Sequence, residues 1–264
     1  MIFIRSLLFN IAFYGWTTIA CILLVPTLFL PRNLILKVTR FYLYVVACIE
    51  KYVLGLTYEI RGLEHQPDHG TYIVAAKHQS AYETLKLYHL FGDPTIVLKK
   101  ELLKIPIFGA FLKKMDVIAI DRSNKEESIE AIIAGAKRME KQNRPIVIFP
   151  QGTRTAVSAT TKEKPYKGGI VKMYSNANIS IVPLALNTGL FWGRNSFIKK
   201  PGKVIFEFLS PIEPGLPDKK VMRALEDRLE EKSILLMQEA KRDFPYLKKE
   251  RIPQLLEDQS HENA

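Results

Sequence analysis

Cysteine is nearly absent. The 264 residues carry only Cys21 and Cys48, both in the apolar N-terminal part and without metal-ligand spacing. That excludes a disulfide framework and gives no sign of a zinc site, and it places the working part of the chain in a reducing compartment. No glycine-rich stretch ends in Gly-Lys-Ser/Thr, so a P-loop is excluded. There is neither a zinc-finger pattern nor an RRM-like aromatic signature, which makes nucleic acid the weakest of the possible anionic partners, and none is expected. Charge is missing altogether from Ser6 to Leu30, a run flanked by Arg5 and Arg32.

What is present is a basic surplus. Lys and Arg number 38 against 27 Asp and Glu, a formal net charge of +11, which favours an anionic membrane surface or a phosphorylated substrate. With 47% apolar and 25% charged residues the chain can bury a sizeable core, so one main domain with an appendage is expected.

The uncharged run is long enough to span a bilayer and longer than the apolar core of a cleaved signal peptide, and Pro26 should end its regular helix near Val25. The segment from Asn33 to Leu56 carries Lys37, Arg40 and Lys51 within roughly 60° of each other on a helical projection, with Tyr44 on the same stripe. Such a helix suits the headgroup region, so residues 1–56 read as a two-helix membrane-docking motif rather than a two-span hairpin. After Leu56, short apolar runs alternate with helical patterns. Strands are expected at 57–61, 72–76, 95–98, 117–120, 145–149, 179–186 and 203–208, and helices at 80–91, 125–141 and 218–243. This alternation predicts an α/β domain over 57–247, with a mixed, largely parallel sheet flanked by helices. A polar tail, 248–264, is expected to fray.

The chemistry-bearing residues follow strand ends, where α/β domains place function. His78 leaves one strand and Glu83 starts the next helix, the arrangement of a base and its orienting group. Ser80 is the expected N-cap with Glu83 at N3, and a plain capping box explains Glu83 equally well. After the strand at 145–149, Gly152 lets backbone amides approach an anion, Thr153 offers a hydroxyl and Arg154 can grip phosphate oxygens. Two further blocks are Asp121-Arg122-Ser123-Asn124 and Asn187-Thr188-Gly189. The run from Leu102 to Leu112 reads either as the lining of an acyl-chain channel or as a core helix with solvated ends. His65, His69, His89 and His261 have no partner spacing and read as non-catalytic.

Together these blocks resemble the glycerolipid acyltransferase family, and within it the bacterial 1-acylglycerol-3-phosphate acyltransferases. The match is His-x4-acid at His78 to Glu83, Ile-Asp-Arg at Ile120 to Arg122, Phe-Pro-x-Gly-Thr-Arg at Phe149 to Arg154, and Val-Pro at Val182 with Asn-Thr-Gly ending at Gly189. Order and spacing both agree over about residues 58–210.

The resemblance implies that His78 is the general base and Glu83 its orienting acid. Lys99 would stabilise the oxyanion, and Gly152, Thr153 and Arg154 would bind the phosphate of lysophosphatidic acid, with Arg122 as a second cation. The donor would be acyl-CoA or acyl carrier protein, with no cofactor and no metal, and the protein would sit on the bacterial inner membrane with its catalytic domain facing the cytoplasm. A lysophospholipid or lyso-ornithine acceptor, a thioesterase, and a non-catalytic lipid-binding protein on the same fold are the competing readings. Two residues depart from the family pattern: Glu83 stands where most members have aspartate, and Gln151 where most have glutamate.

Overall fold

The computed structural model describes residues 1–255. Its apolar N-terminal run forms helix α1, Ile2–Leu23, and Pro26 sets a single 3-10 turn at Val25–Phe29 before α2, Arg32–Ile49. Helix α1 has a polar seam on one side. Ser6 and Asn10 are buried, and Phe9 and Phe13 pack against Trp192 at ring distances of 5.2 and 5.6 Å. The Ser6 hydroxyl donates to the Lys199 carbonyl at 2.7 Å, and the Asn10 amide donates to that of Phe197 at 3.0 Å. Farther along, the Trp16 indole donates to Tyr42 O of α2 at 3.3 Å. One stripe of α1 is therefore fastened to the rest of the chain by polar bonds and aromatic packing. The opposite stripe, including Ile4, Leu8, Ile11 and Ile22, stays exposed.

Helix α2 ends in a wider, π-helical turn at Glu50–Leu54, closed by Gly55. Lys37, Arg40, Tyr44 and Lys51 are exposed, as the projected basic stripe requires. Glu50 turns the other way and is buried.

Seven strands follow: β1 Leu56–Arg61, β2 Ile73–Ala76, β3 Thr95–Lys99, β4 Ile118–Ile120, β5 Ile146–Ile148, β6 Ile181–Leu186 and β7 Gly202–Phe208. They form one sheet in the order β1-β7-β6-β2-β5-β3-β4. All pairings are parallel except β6 with β7. The central strands are apolar on both faces because both faces are covered. On β2, Val74 and Ala76 join a core with α1, helix α3 (Tyr82–Phe91) and the end of α8 (Asp218–Asp243), while Ile73 and Ala75 face the other way. That second core is shared with helices α5, Lys125–Glu140, and α6, Gly169–Ala177. The short helix α4, Phe108–Lys114, lies between β3 and β4 in sequence, and after β6 comes α7, Thr188–Phe191.

The mixed, largely parallel sheet agrees with the sequence reading, and α8 has the expected bounds. The stretch beyond Pro245 differs from expectation, because Leu247 is fully buried and Ile252 and Leu255 pack against the core. Apolar side chains spaced through the polar segment explain this; residues 256–264, with His261, lie outside the described residues.

Candidate active site

Strand β2 delivers His78 to the carboxyl edge of the sheet. The preceding Lys77 is buried and ion-paired with Glu230 of α8 at 2.6 Å, and Glu230 accepts from the Tyr166 hydroxyl at 2.9 Å. The chain is thus pinned one residue before the imidazole. His78 lies flat on Phe149, with ring centroids 4.1 Å apart and planes within 17°.

Glu83, on the first turn of α3, is buried and fully engaged. One carboxylate oxygen accepts from His78 Nδ1 at 2.8 Å, from the Gln79 amide at 2.9 Å and from the Ser80 amide at 2.7 Å. The other accepts from the Thr188 hydroxyl at 2.8 Å. An ionised carboxylate only accepts, so Nδ1 carries the proton and Nε2 is left with its lone pair as the basic nitrogen. Both readings of Glu83 therefore hold at once: it closes the helix start and it orients the histidine. The expected N-cap is displaced, since α3 begins at Tyr82 and the Ser80 hydroxyl accepts from the Tyr82 amide at 3.0 Å. The longer glutamate reaches the imidazole and both backbone amides without strain on the turn.

The loop after β5 lies directly beside His78, because β5 is the neighbour of β2, and the Thr155 amide donates to the His78 carbonyl at 2.7 Å. Gly152 turns this loop with φ +71, a conformation that side-chain-bearing residues avoid. Thr153 is exposed. Arg154 lines a cleft of about 480 Å³ together with Asn10 and Phe13 of α1, Leu85, Trp192 and Lys199. Lys199 is a buried ammonium held by Asn10 Oδ1 at 2.8 Å, and burial lowers its pKa. Gln151 points inward, buried, its amide oxygen accepting from the Thr155 hydroxyl at 3.4 Å. The departure from glutamate thus sits behind the loop and not on the surface that Arg154 presents.

Lys99 and Arg122 are not drawn into this cluster. Lys99 ends β3, two strands from β2, is half-exposed and is paired with Glu101 at 2.7 Å. Arg122 follows β4, the edge strand, and is exposed. Strands lie about 4.8 Å apart, so these positions stand roughly 10 and 14 Å along the same edge from β2. The run from Leu102 to Leu112 divides: Leu102, Leu103, Phe111 and Leu112 pack into a small core with Ile35 and Leu98, while Ile105 and Phe108 face out.

Sequence reasoning missed Thr188 and Phe149 as members of the cluster, although it singled out both of their blocks. The usable signal is topological. Strands β5 and β6 flank β2, so whatever follows them arrives beside His78.

An imidazole oriented by a carboxylate at the carboxyl edge of a mixed α/β sheet is an arrangement suited to general-base chemistry, and the glycine turn beside it, with Arg154, is one suited to an anion. Residues 57–187 match the family model described as Acyltransferase. It is 34% identical over 156 residues to a 1-acyl-sn-glycerol-3-phosphate acyltransferase of Pseudomonas aeruginosa, covering 59% of each chain. A relative of the same name from Cocos nucifera is 31% identical over 65% of this chain and 55% of its own. The chain thus spans less than two thirds of the length of these relatives. The crystal structure of the 1-acyl-sn-glycerophosphate (LPA) acyltransferase from Thermotoga maritima shares the fold, with a TM-score of 0.66 and 19% identity over 92% of this chain and 97% of that one.

Proposed function

We propose that this protein transfers a fatty acyl group from a thioester, acyl-CoA or acyl carrier protein, to the sn-2 hydroxyl of lysophosphatidic acid, giving phosphatidic acid for phospholipid biosynthesis. The observation that carries the reading is the His78–Glu83 pair at 2.8 Å with Nε2 left as base, beside the Arg154 loop. His78 Nε2 removes the acceptor proton as the hydroxyl oxygen attacks the thioester carbon, typically a 10²–10⁴-fold effect. The oxyanion collapses, the carbon–sulfur bond breaks, and the same proton passes from His78 to the departing thiolate. Lys99 is assigned to the oxyanion and would have to leave Glu101 to reach it. Gly152, Thr153 and Arg154 hold the acceptor phosphate, with Arg122 contributing charge farther along the edge. The route needs no cofactor and no metal, since the thioester supplies the activated acyl group and the side chains supply the proton transfers.

The membrane reading fits the same arrangement. The fastened seam of α1 leaves its exposed apolar stripe to lie in lipid while the polar seam stays on the domain, which favours a helix lying in the interface over one that crosses. On this reading residues 1–56 dock the domain 57–247 on the cytoplasmic face of the inner membrane.

The test is conversion of labelled acyl-CoA and lysophosphatidic acid in mixed micelles, with the lipid products resolved. Phosphatidic acid formed by the wild type and lost in His78→Ala, with vesicle binding unchanged, is the expected result. Normal turnover by His78→Ala would overturn the mechanism.

A further inference from the structure

The turn between Leu103 and Gly109 has no part in the proposed chemistry, yet it is built under constraint. Ile107 adopts φ +63 and ψ −61, a region that β-branched residues avoid. The Phe108 amide closes on the Pro106 carbonyl at 2.6 Å, a three-residue turn. Gly109 locks it from behind, since a Cβ there would lie 2.2 Å from the Leu103 carbonyl oxygen. Backbone strain of this kind persists only where the surroundings impose it. Here its outcome is to hold two large apolar side chains outward, Ile105 at 45% exposure and Phe108 at 48%.

Charge and position point to what meets them. From Leu102 to Met115 there is no acidic residue, while Lys104, Lys113 and Lys114 are all exposed. The Lys114 ammonium donates to the Leu30 carbonyl at 3.3 Å, which ties the end of α4, the helix that follows the turn, to Leu30 and the neighbouring Phe29, itself 88% exposed. The helix that follows the turn therefore packs where α1 passes into α2, and exposed cations lie on both elements: Lys37, Arg40 and Lys51 on α2 and its π-helical turn, and Lys104, Lys113 and Lys114 around the Ile105–Phe108 turn.

We propose that the Ile105–Phe108 turn is a further lipid-contacting element that inserts into an anionic membrane surface beside α1 and α2. The proposal rests on the membrane reading above and extends it. The turn follows β3, whose carboxyl end lies on the same edge as His78, so its insertion brings that edge against the lipid from which the acceptor comes. Flanking lysines add attraction to anionic headgroups, and the apolar pair adds burial.

Sedimentation of the full chain with vesicles tests this, using phosphatidylcholine alone and phosphatidylcholine mixed with phosphatidylglycerol. The double variant Ile105→Ser with Phe108→Ser should lower the partition coefficient on the mixed vesicles by roughly 10–100-fold, with unchanged thermal midpoint and unchanged turnover in detergent micelles. Lys104→Gln with Lys113→Gln should weaken binding by about fivefold per lysine on the anionic vesicles and leave the neutral ones unaffected. Wild-type-like binding by the apolar double variant would overturn the proposal while leaving docking through α1 and α2 in place. Absence of vesicle binding by the wild type would overturn both. Equal loss on both vesicle types in the lysine variant would overturn the anionic preference.

Discussion

Glu83 and Lys86 lie one turn apart on α3, both almost completely buried, and their surroundings differ in kind. Glu83 faces the carboxyl edge and accepts four hydrogen bonds, from a ring nitrogen, two backbone amides and the Thr188 hydroxyl. Lys86 faces the N-terminal helices, where it is ion-paired with Glu50 of the turn after α2 and lies over the Tyr82 ring at 4.6 Å. There, among the described residues, one Glu50 oxygen and the Tyr82 hydroxyl have no partner. Burial raises the Glu50 pKa and lowers that of Lys86, each partly offset by the other charge. A saturated network fixes one geometry, whereas a partly satisfied one holds two elements together at a cost. The first is what a base needs in order to stay aimed, and the second is a joint between the N-terminal helices and α3.

Substitutions at the two places should separate these roles. The largest effect is expected at the site: Glu83→Gln places an amide where four donors converge, and kcat in micelles should fall on the order of 10²–10⁴-fold with the circular dichroism unchanged. At the joint, Lys86→Met leaves Glu50 buried and unpaired and should cost about 3–5 kcal/mol in urea unfolding. Adding Glu50→Leu should restore most of that stability, and a double variant as unstable as the single one would show that the pair is more than a joint.

Smaller effects refine the site side. Arg154→Ala should raise the KM for lysophosphatidic acid roughly 10–100-fold with kcat nearly constant, as expected for loss of a charge-assisted contact. Thr188→Val should lower kcat about 10-fold without moving KM or the melting midpoint, and Thr188→Ser should retain activity. The smallest effect concerns His89, near the joint. Burial, followed by the charge of Lys86, lowers its pKa, so it contributes stability above its ordinary pKa near ~6.5 that is lost as the pH falls. His89→Gln should only slightly flatten the acid side of the stability–pH curve, because the side chain is only partly buried.

The sheet was legible because β2, β5 and β6 are apolar on both faces and their runs are bounded by Gly, Pro and Asn. The His78–Glu83 pair was legible because both partners lie within one short strand-to-helix turn. Thr188 was not, since its contact with Glu83 spans 105 residues and exists only through the neighbouring of β6 and β2. The Glu50–Lys86 pair was hidden because its partners lie 36 residues apart, one on the turn after α2 and the other on α3. Ile107 escaped because nothing in its residue type announces a positive φ.

Relative kcat/KM for lysophosphatidic acid against a lysophospholipid lacking the phosphate monoester, in the wild type and in Arg154→Ala, tests the central claim most directly. The account predicts that the wild type prefers the phosphomonoester by at least about 10-fold and that the preference collapses in the variant. Equal use of both acceptors by the wild type, or a preference that survives Arg154→Ala, would contradict it.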